Sequence, residues 1–185
     1  MDNIYTPETD GVNHINIHIN ARTELGRMLS YFYEIPFTHP YFGPFVSMEG
    51  FWHFVQGYTR DPVERVQIKL DELRGLSGQR AKNFGKQLDW YHVESFKEII
   101  LAAHFYKIEQ NQDVLDLLIA STLPFDTYYV FKPEGDAAGA SNRIIHNPGY
   151  EWQVQAFEDI RKMLKNGERP VPIDYDSIFS DVVKT

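Results

Sequence analysis

The first clear periodicity lies in His14-Ile-Asn-Ile-His-Ile-Asn20, where Ile15, Ile17 and Ile19 alternate with polar residues. Strict alternation predicts a half-buried strand. Residues 1–13 carry no such pattern and are expected to form a flexible N-terminus. Ala21 to Leu29 has room for one helical turn. Ser30 to Tyr41 is aromatic and interrupted by proline, which favours strand or loop over helix, and Phe45 to Ser47 predicts a short strand. Helical spacing then takes over. Ser47 is placed to cap a helix from Met48 to about Tyr58, with Glu49 in the first turn, where the helix dipole favours an anion. Asp61-Pro62 opens a second helix that ends near Gly75, and Ser77 caps a third over Gly78 to Leu88. The strongest helix runs from Val93 to Glu109, with Phe96, Ile99, Ile100, Ala103 and Lys107 in one stripe and Leu101 and Phe105 on its flank. Asp113 to Ser121 predicts a short helix and Asp126 to Phe131 a strand. Lys132 to Gly149 reads as a long loop, and loops of that length inside a compact domain are usually functional or mobile. A last helix from Tyr150 to Lys165 is ended by Asn166-Gly167. The Pro-rich, acidic tail 168–185 is expected to pack on the surface. The pattern as a whole predicts a helix-rich α+β fold, with a single domain over 14–167.

Length agrees with one domain: 185 residues with 43% hydrophobic positions can bury a sizeable core. Lys plus Arg number 18 against 26 Asp plus Glu, a formal net charge of -8. That balance argues against a protein that grips a nucleic-acid backbone over its whole surface, though not against a local basic site. Cysteine is absent, which removes disulfides, thiolate metal sites and cysteine nucleophiles. No apolar run reaches the ~18 residues of a membrane span, and the polar first ten residues contain no signal-peptide core. The expected location is cytoplasmic. Aromatic residues, at 15% of the chain, are unusually frequent.

Several catalytic signatures are missing: there is no Gly-x-Ser-x-Gly elbow, phosphate-binding P-loop or Gly-x-Gly-x-x-Gly fingerprint. His14 and His18 would lie on one strand face about 13 Å apart, too far for one metal ion, so neither metal nor cofactor is expected. His53 and His104 sit within aromatic helices and read as hydrogen-bonded histidines at the edge of a core. Phe45-Val-Ser-Met-Glu49-Gly-Phe-Trp-His-Phe54 sets a carboxylate at a helix start among aromatic side chains. There Glu49 is either a plain dipole-favoured residue or an acid, a base or a partner for a developing sugar cation. Arg80, Lys82 and Lys86 follow Ser77-Gly78, which makes the segment either a solvated helix face or a phosphate site. The small-residue loop from Glu134 to Arg143 would let its backbone approach a ribose or pyrophosphate closely; otherwise it is a surface loop.

In order, Leu29-Ser-Tyr-Phe-Tyr-Glu-Ile-Pro-Phe37, Ser47-Met-Glu49-Gly-Phe-Trp52, Ala81-Lys-Asn-Phe-Gly85 and Asp89-Trp90 form a series, continued by Lys107-Ile-Glu-Gln-Asn111, Leu117-Leu-Ile-Ala-Ser-Thr122 and Asn147-Pro-Gly149. The series resembles the motifs of the NADAR family, which is associated with NAD and ADP-ribose metabolism and includes riboflavin-intermediate N-glycosidases. The likeness covers roughly residues 24–163. It departs at Tyr31, where the family has Asn; at Gly50, where the family has His after the glutamate; near Tyr128, where the family often has a glutamate; and at Gly135-Asp136, which lacks the family's Trp. These departures resemble a divergent, phage-type branch. The resemblance implies a compact helix-rich α+β domain that hydrolyses an N-glycosidic bond to a ribose 5-phosphate or ADP-ribose unit. Mapped onto this chain, it implies Glu49 and Asp136 as catalytic carboxylates. Tyr31, Phe32, Trp52, Trp90 and Tyr128 would hold the base or ribose, and Arg80, Lys82 and Asn147 the phosphate or ribose. The implied partner is a small nucleotide, an ADP-ribosylated substrate or an ADP-ribosylated nucleic acid. The alternative is a binding protein on the same fold that reads ADP-ribose or a modified nucleotide without turnover.

Overall fold

The computed structural model describes residues 5–131, 143–146 and 148–180. The fold is α+β and rich in helix. Its helices are α1 (Glu24–Leu29), α2 (Met48–Gln56), α3 (Pro62–Gln67), α4 (Gly78–Gly85), α5 (Phe96–Glu109), α6 (Gln112–Ala120), α7 (Glu151–Asn166) and α8 (Tyr175–Ile178). Its strands are short: β1 (Ile15–Asn16), β2 (Glu34–His39), β3 (Gly43–Ser47), β4 (Phe125–Asp126), β5 (Tyr129–Phe131) and β6 (Arg143–Ile145). Among the described residues they form two-stranded sheets, β1 parallel to β4, β2 antiparallel to β3 and β5 antiparallel to β6. No helix of the described residues is long and apolar enough to cross a membrane.

Two apolar clusters make the core, and α5 is common to both. Ile99, Ile100 and Ala103 pack with Phe37, Phe45, Phe51, Phe54 and Val93, while Phe105 and Ile108 pack with Leu25, Leu29, Phe125, Phe157 and Ile160. A helix clasped from both sides is apolar nearly all round. This is why its expected single stripe widens to include Ala102, His104 and Phe105 among its buried residues. Lys107 lies wholly inside, at 0% exposure. Its ammonium donates to the carbonyls of Met28 at 2.7 Å and Ser30 at 3.4 Å, filling acceptors left at the end of α1.

The sequence pattern and the structure differ at several places. The helix expected from Asp61 to near Gly75 is α3 followed by a 3-10 segment, Leu70–Gly75, after the left-handed Lys69. The strand expected over Asp126 to Phe131 is split into β4 and β5. The alternating stretch 14–20 pairs only over β1, because its parallel partner β4 is itself two residues long; Ile17 is still buried and its amide reaches the Asp126 carbonyl at 2.8 Å. The loop expected over 132–149 contains β6, which closes a hairpin on β5. Within 1–13, expected to be flexible, Pro7–Thr9 form a 3-10 turn and Asp10 is buried. The Asp10 carboxylate accepts from the amides of Asn16 at 3.0 Å and Arg22 at 2.6 Å. From the tail, Ile173, Tyr175 and Ile178 lie against the first cluster and Phe179 enters it.

Candidate active site

The site begins with the entry into α2. Ser47 is extended, and its hydroxyl accepts from the Gly50 amide at 3.1 Å while donating to the Leu76 carbonyl at 2.8 Å. The cap thus starts the helix and ties it to the segment before α4 in one residue. The Glu49 amide donates to the Tyr31 carbonyl at 3.0 Å, fixing the first turn against the chain entering β2. Gly50 sits tightly at this junction. A Cβ there would overlap the Leu73 carbonyl oxygen and come within 2.9 Å of the Leu76 carbonyl oxygen, so the backbone leaves no space for a histidine.

Glu49 opens onto a cleft of about 810 Å³. One wall comes from α2 and α4 and carries Trp52, His53, Gln56, Gln79, Lys82 and Lys86, with Trp90 beyond. Residues 17–20 and 127–130 also line it, together with Tyr31, Tyr150, Gln153 and Phe157. Tyr31, Phe32, Glu49, Trp52, Lys82, Trp90 and Tyr128 therefore share one cleft. Arg80 is exposed on α4 and is not part of its lining: Gln79, Lys82 and Lys86 face the cleft, whereas Ala81 and Gly85 are buried. Arg80, expected to contact a phosphate or ribose, thus stands outside the lining, and Lys86, one turn beyond Lys82, is within it. Asp136 and Asn147 fall outside the described residues.

The Glu49 carboxylate is only 12% exposed and lies 3.3 Å from His53 Nε2. His53 itself is 6% exposed. The pair sits at positions i and i+4 of one helix, a spacing that brings side chains together. His53 is thus the hydrogen-bonded histidine at a core edge that its aromatic surroundings predict; that its partner is Glu49 follows from the i, i+4 spacing. His104 departs from the expected hydrogen-bonded histidine at a core edge: it lies fully inside the core between Tyr31 and Phe157, with both ring nitrogens buried and without a partner among the described residues. Its burial, and secondarily the Lys107 charge, push its pKa well below the usual histidine value.

Unsatisfied polar atoms gather at this cleft. The Tyr31 hydroxyl, His53 Nδ1 and Gln56 Oε1 are buried with no hydrogen-bond partner among the described residues. Buried polar groups are normally paired; the Tyr31 and Gln56 atoms belong to residues that line the cleft, whereas His53 Nδ1 lies against Gly85. Burial, followed by the Glu49 charge, raises the Tyr31 hydroxyl far above its ordinary pKa, so it stays a neutral donor. Aromatic faces form much of the surface. Trp52 meets Tyr31 and Phe96 edge to face and stacks 6.2 Å from Trp152. Trp90 is 47% exposed, and Lys82 Nζ stands 5.6 Å over the Phe32 ring. Tyr128 lends the cleft its ring only: its hydroxyl bonds His14 Nε2 at 2.9 Å, and its backbone bonds the Asn16 side chain.

Among the described residues, no group of three or more His, Asp or Glu side chains could hold a metal ion. Comparison with protein-family models, with curated proteins and with solved structures finds no match to this chain.

Proposed function

We propose that the cleft binds a ribosyl phosphate or ADP-ribosyl group and hydrolyses the N-glycosidic bond at its C1, as the NADAR resemblance implies. The observation that carries this reading is the Glu49 carboxylate, held nearly buried in an aromatic cleft whose α4 wall bears Lys82 and Lys86. Cleavage of a ribosyl N-glycoside passes through a cation at C1. A fixed anion in a water-poor site stabilises that cation strongly. One water is consumed. Its oxygen bonds C1, the C1–N electron pair leaves with nitrogen, and Glu49 takes a proton from the water and passes it on toward the leaving nitrogen. Trp52 and Trp90 offer faces for a base, Tyr31 offers a donor to a sugar hydroxyl, and the two lysines neutralise phosphate.

One observation favours the alternative, a reader that binds ADP-ribose or a modified nucleotide without turnover. Glycosidases commonly use two carboxylates, and Glu49 is the sole carboxylate among the described lining residues.

Ligand and turnover measurements separate these readings. ADP-ribose or ribose 5-phosphate at 100 times its Kd should stabilise the protein by about 2.7 kcal/mol in thermal unfolding; no shift at millimolar ligand rejects both. Glu49→Gln preserves shape and removes charge. In a hydrolase it should lower kcat by roughly 100-fold or more with little change in binding. Tight binding by the wild type with no product from any ribosylamine or ADP-ribosylated substrate identifies the reader.

A further inference from the structure

His53 occupies a socket that α4 leaves open at Gly85. If Gly85 carried a Cβ, that atom would overlap the imidazole, and the three atoms nearest to it all belong to the His53 ring. The socket is braced from the other side, where Trp90 Nε1 donates to the Gly85 carbonyl at 3.4 Å and the Trp90 ring lies 6.5 Å from the imidazole. Inside it, Nε2 faces Glu49 Oε1 at 3.3 Å, and Nδ1 is buried with no partner among the described residues.

A neutral imidazole has one N–H and one lone pair. The carboxylate can only accept, which places the proton on Nε2. Nδ1 then holds a lone pair against Gly85, with no buried donor left unused. A glutamate side chain has three rotatable bonds, and a hydrogen bond to one carboxylate oxygen removes much of that freedom. The second oxygen is left for the cleft.

We propose that His53 and Gly85 are positioning residues for Glu49: the missing Cβ on α4 seats His53 as its Nε2–H tautomer, and that N–H aims the Glu49 carboxylate into the cleft. The consequence for turnover rests on the hydrolase reading above; the socket and the tautomer do not.

The test uses the full chain labelled with ¹⁵N-histidine, with the His53 signals assigned by their loss in His53→Gln. In its neutral form His53 should show a protonated Nε2 and an unprotonated Nδ1. A stability cycle then probes the socket. Gly85→Ala should lower Tm in the wild type and leave it unchanged in a His53→Ala background, where no ring opposes the new methyl. If Gly85→Ala does not fold, His53→Leu tests the same hydrogen bond. In turnover, Gly85→Ala and His53→Leu should reduce kcat by roughly 10- to 100-fold, the scale of a misaimed catalytic group, with Kd for ribose 5-phosphate unchanged. His53→Gln, which retains an N–H donor, should lose less than His53→Leu. An Nδ1–H tautomer, or equal destabilisation by Gly85→Ala in both backgrounds, overturns the positioning role. Undiminished kcat in His53→Leu overturns it as well. The expected tautomer and cycle in a wild type that turns over nothing would uphold the socket and reject the hydrolase reading.

Discussion

At the scale of single residues, three buried ionisable groups govern how stability depends on pH. Burial lowers His39 to about 3, and burial followed by the Lys107 charge holds His104 well below its ordinary value of 6.5. His39 is suited to neutrality: Nδ1 accepts from the amides of Tyr41 and Phe42 at 3.2 Å, so Nε2 carries the proton toward the Tyr175 hydroxyl at 3.0 Å. Below pH 6.5 the unfolded chain binds protons that these native histidines refuse. Their contribution is therefore intact above 6.5 and lost as pH falls toward 3, at about 1.4 kcal/mol per pH unit for each. Lys107 acts in the alkaline range. Burial lowers it from 10.5 to about 7, so between those values the unfolded chain holds the extra proton and stability rises with pH. Urea titrations from pH 4 to 10 should show both slopes. His104→Phe should remove one proton's worth of the acid slope. It should also stabilise the protein at pH 7 by about 1 kcal/mol or more, since two unpaired buried nitrogens disappear. An acid slope unaltered by His104→Phe would mean that His104 is not held neutral.

At the scale of elements, what could be read from the sequence was local. Ser47 before α2 and Asp61-Pro62 before α3 both cap as their residue types predict, with the Asp61 carboxylate accepting from Val63 and Glu64. Ser77 marks the start of α4 correctly, yet its hydroxyl donates to Glu34 Oε2 at 3.0 Å and caps nothing. A residue type can announce a helix start without disclosing the partner its side chain takes. Strand lengths were not legible, because each depends on a partner distant in sequence: β1 is cut short by β4, over a hundred residues away. Within the candidate site, Glu49, Trp52 and Lys82 were visible from position and type. The Glu49–His53 bond depends on which face of α2 turns to the cleft, and tertiary packing decides that. Gly50 is the clearest test of that packing, since it lets α2 sit directly on the carbonyls of Leu73 and Leu76. Gly50→Ala should cost roughly 1–3 kcal/mol by overpacking, read as a lower urea midpoint. Gly50→His should fail to give stable protein at all. A stable Gly50→His variant would show that α2 can lift away from the 3-10 segment Leu70–Gly75.

At the scale of the whole molecule, the ends of the described chain are fastened to the body. Phe179 is 2% exposed, stacked beside Tyr41 and set edge-on to Phe42 and Tyr58. Phe179→Ala should cost about 3–5 kcal/mol, the loss expected for a buried phenyl ring. A change in Tm too small to match that figure would mean that the segment docks only loosely. The two apolar clusters share α5, so neither can come apart without exposing the other. The cleft spans the same architecture: its walls come from residues 17–20, from α2 and α4, and from residues 127–130. No contiguous piece of chain contains the whole cleft, so under the proposed function a ligand would recognise only molecules in which these distant segments have already met. Occupancy is then linked to every opening that parts those segments, global unfolding included. Backbone amides in the middle of α5 should exchange their hydrogens more slowly by the full factor 1 + [L]/Kd, while those of α3, which has no buried residue and lines no part of the cleft, exchange as before.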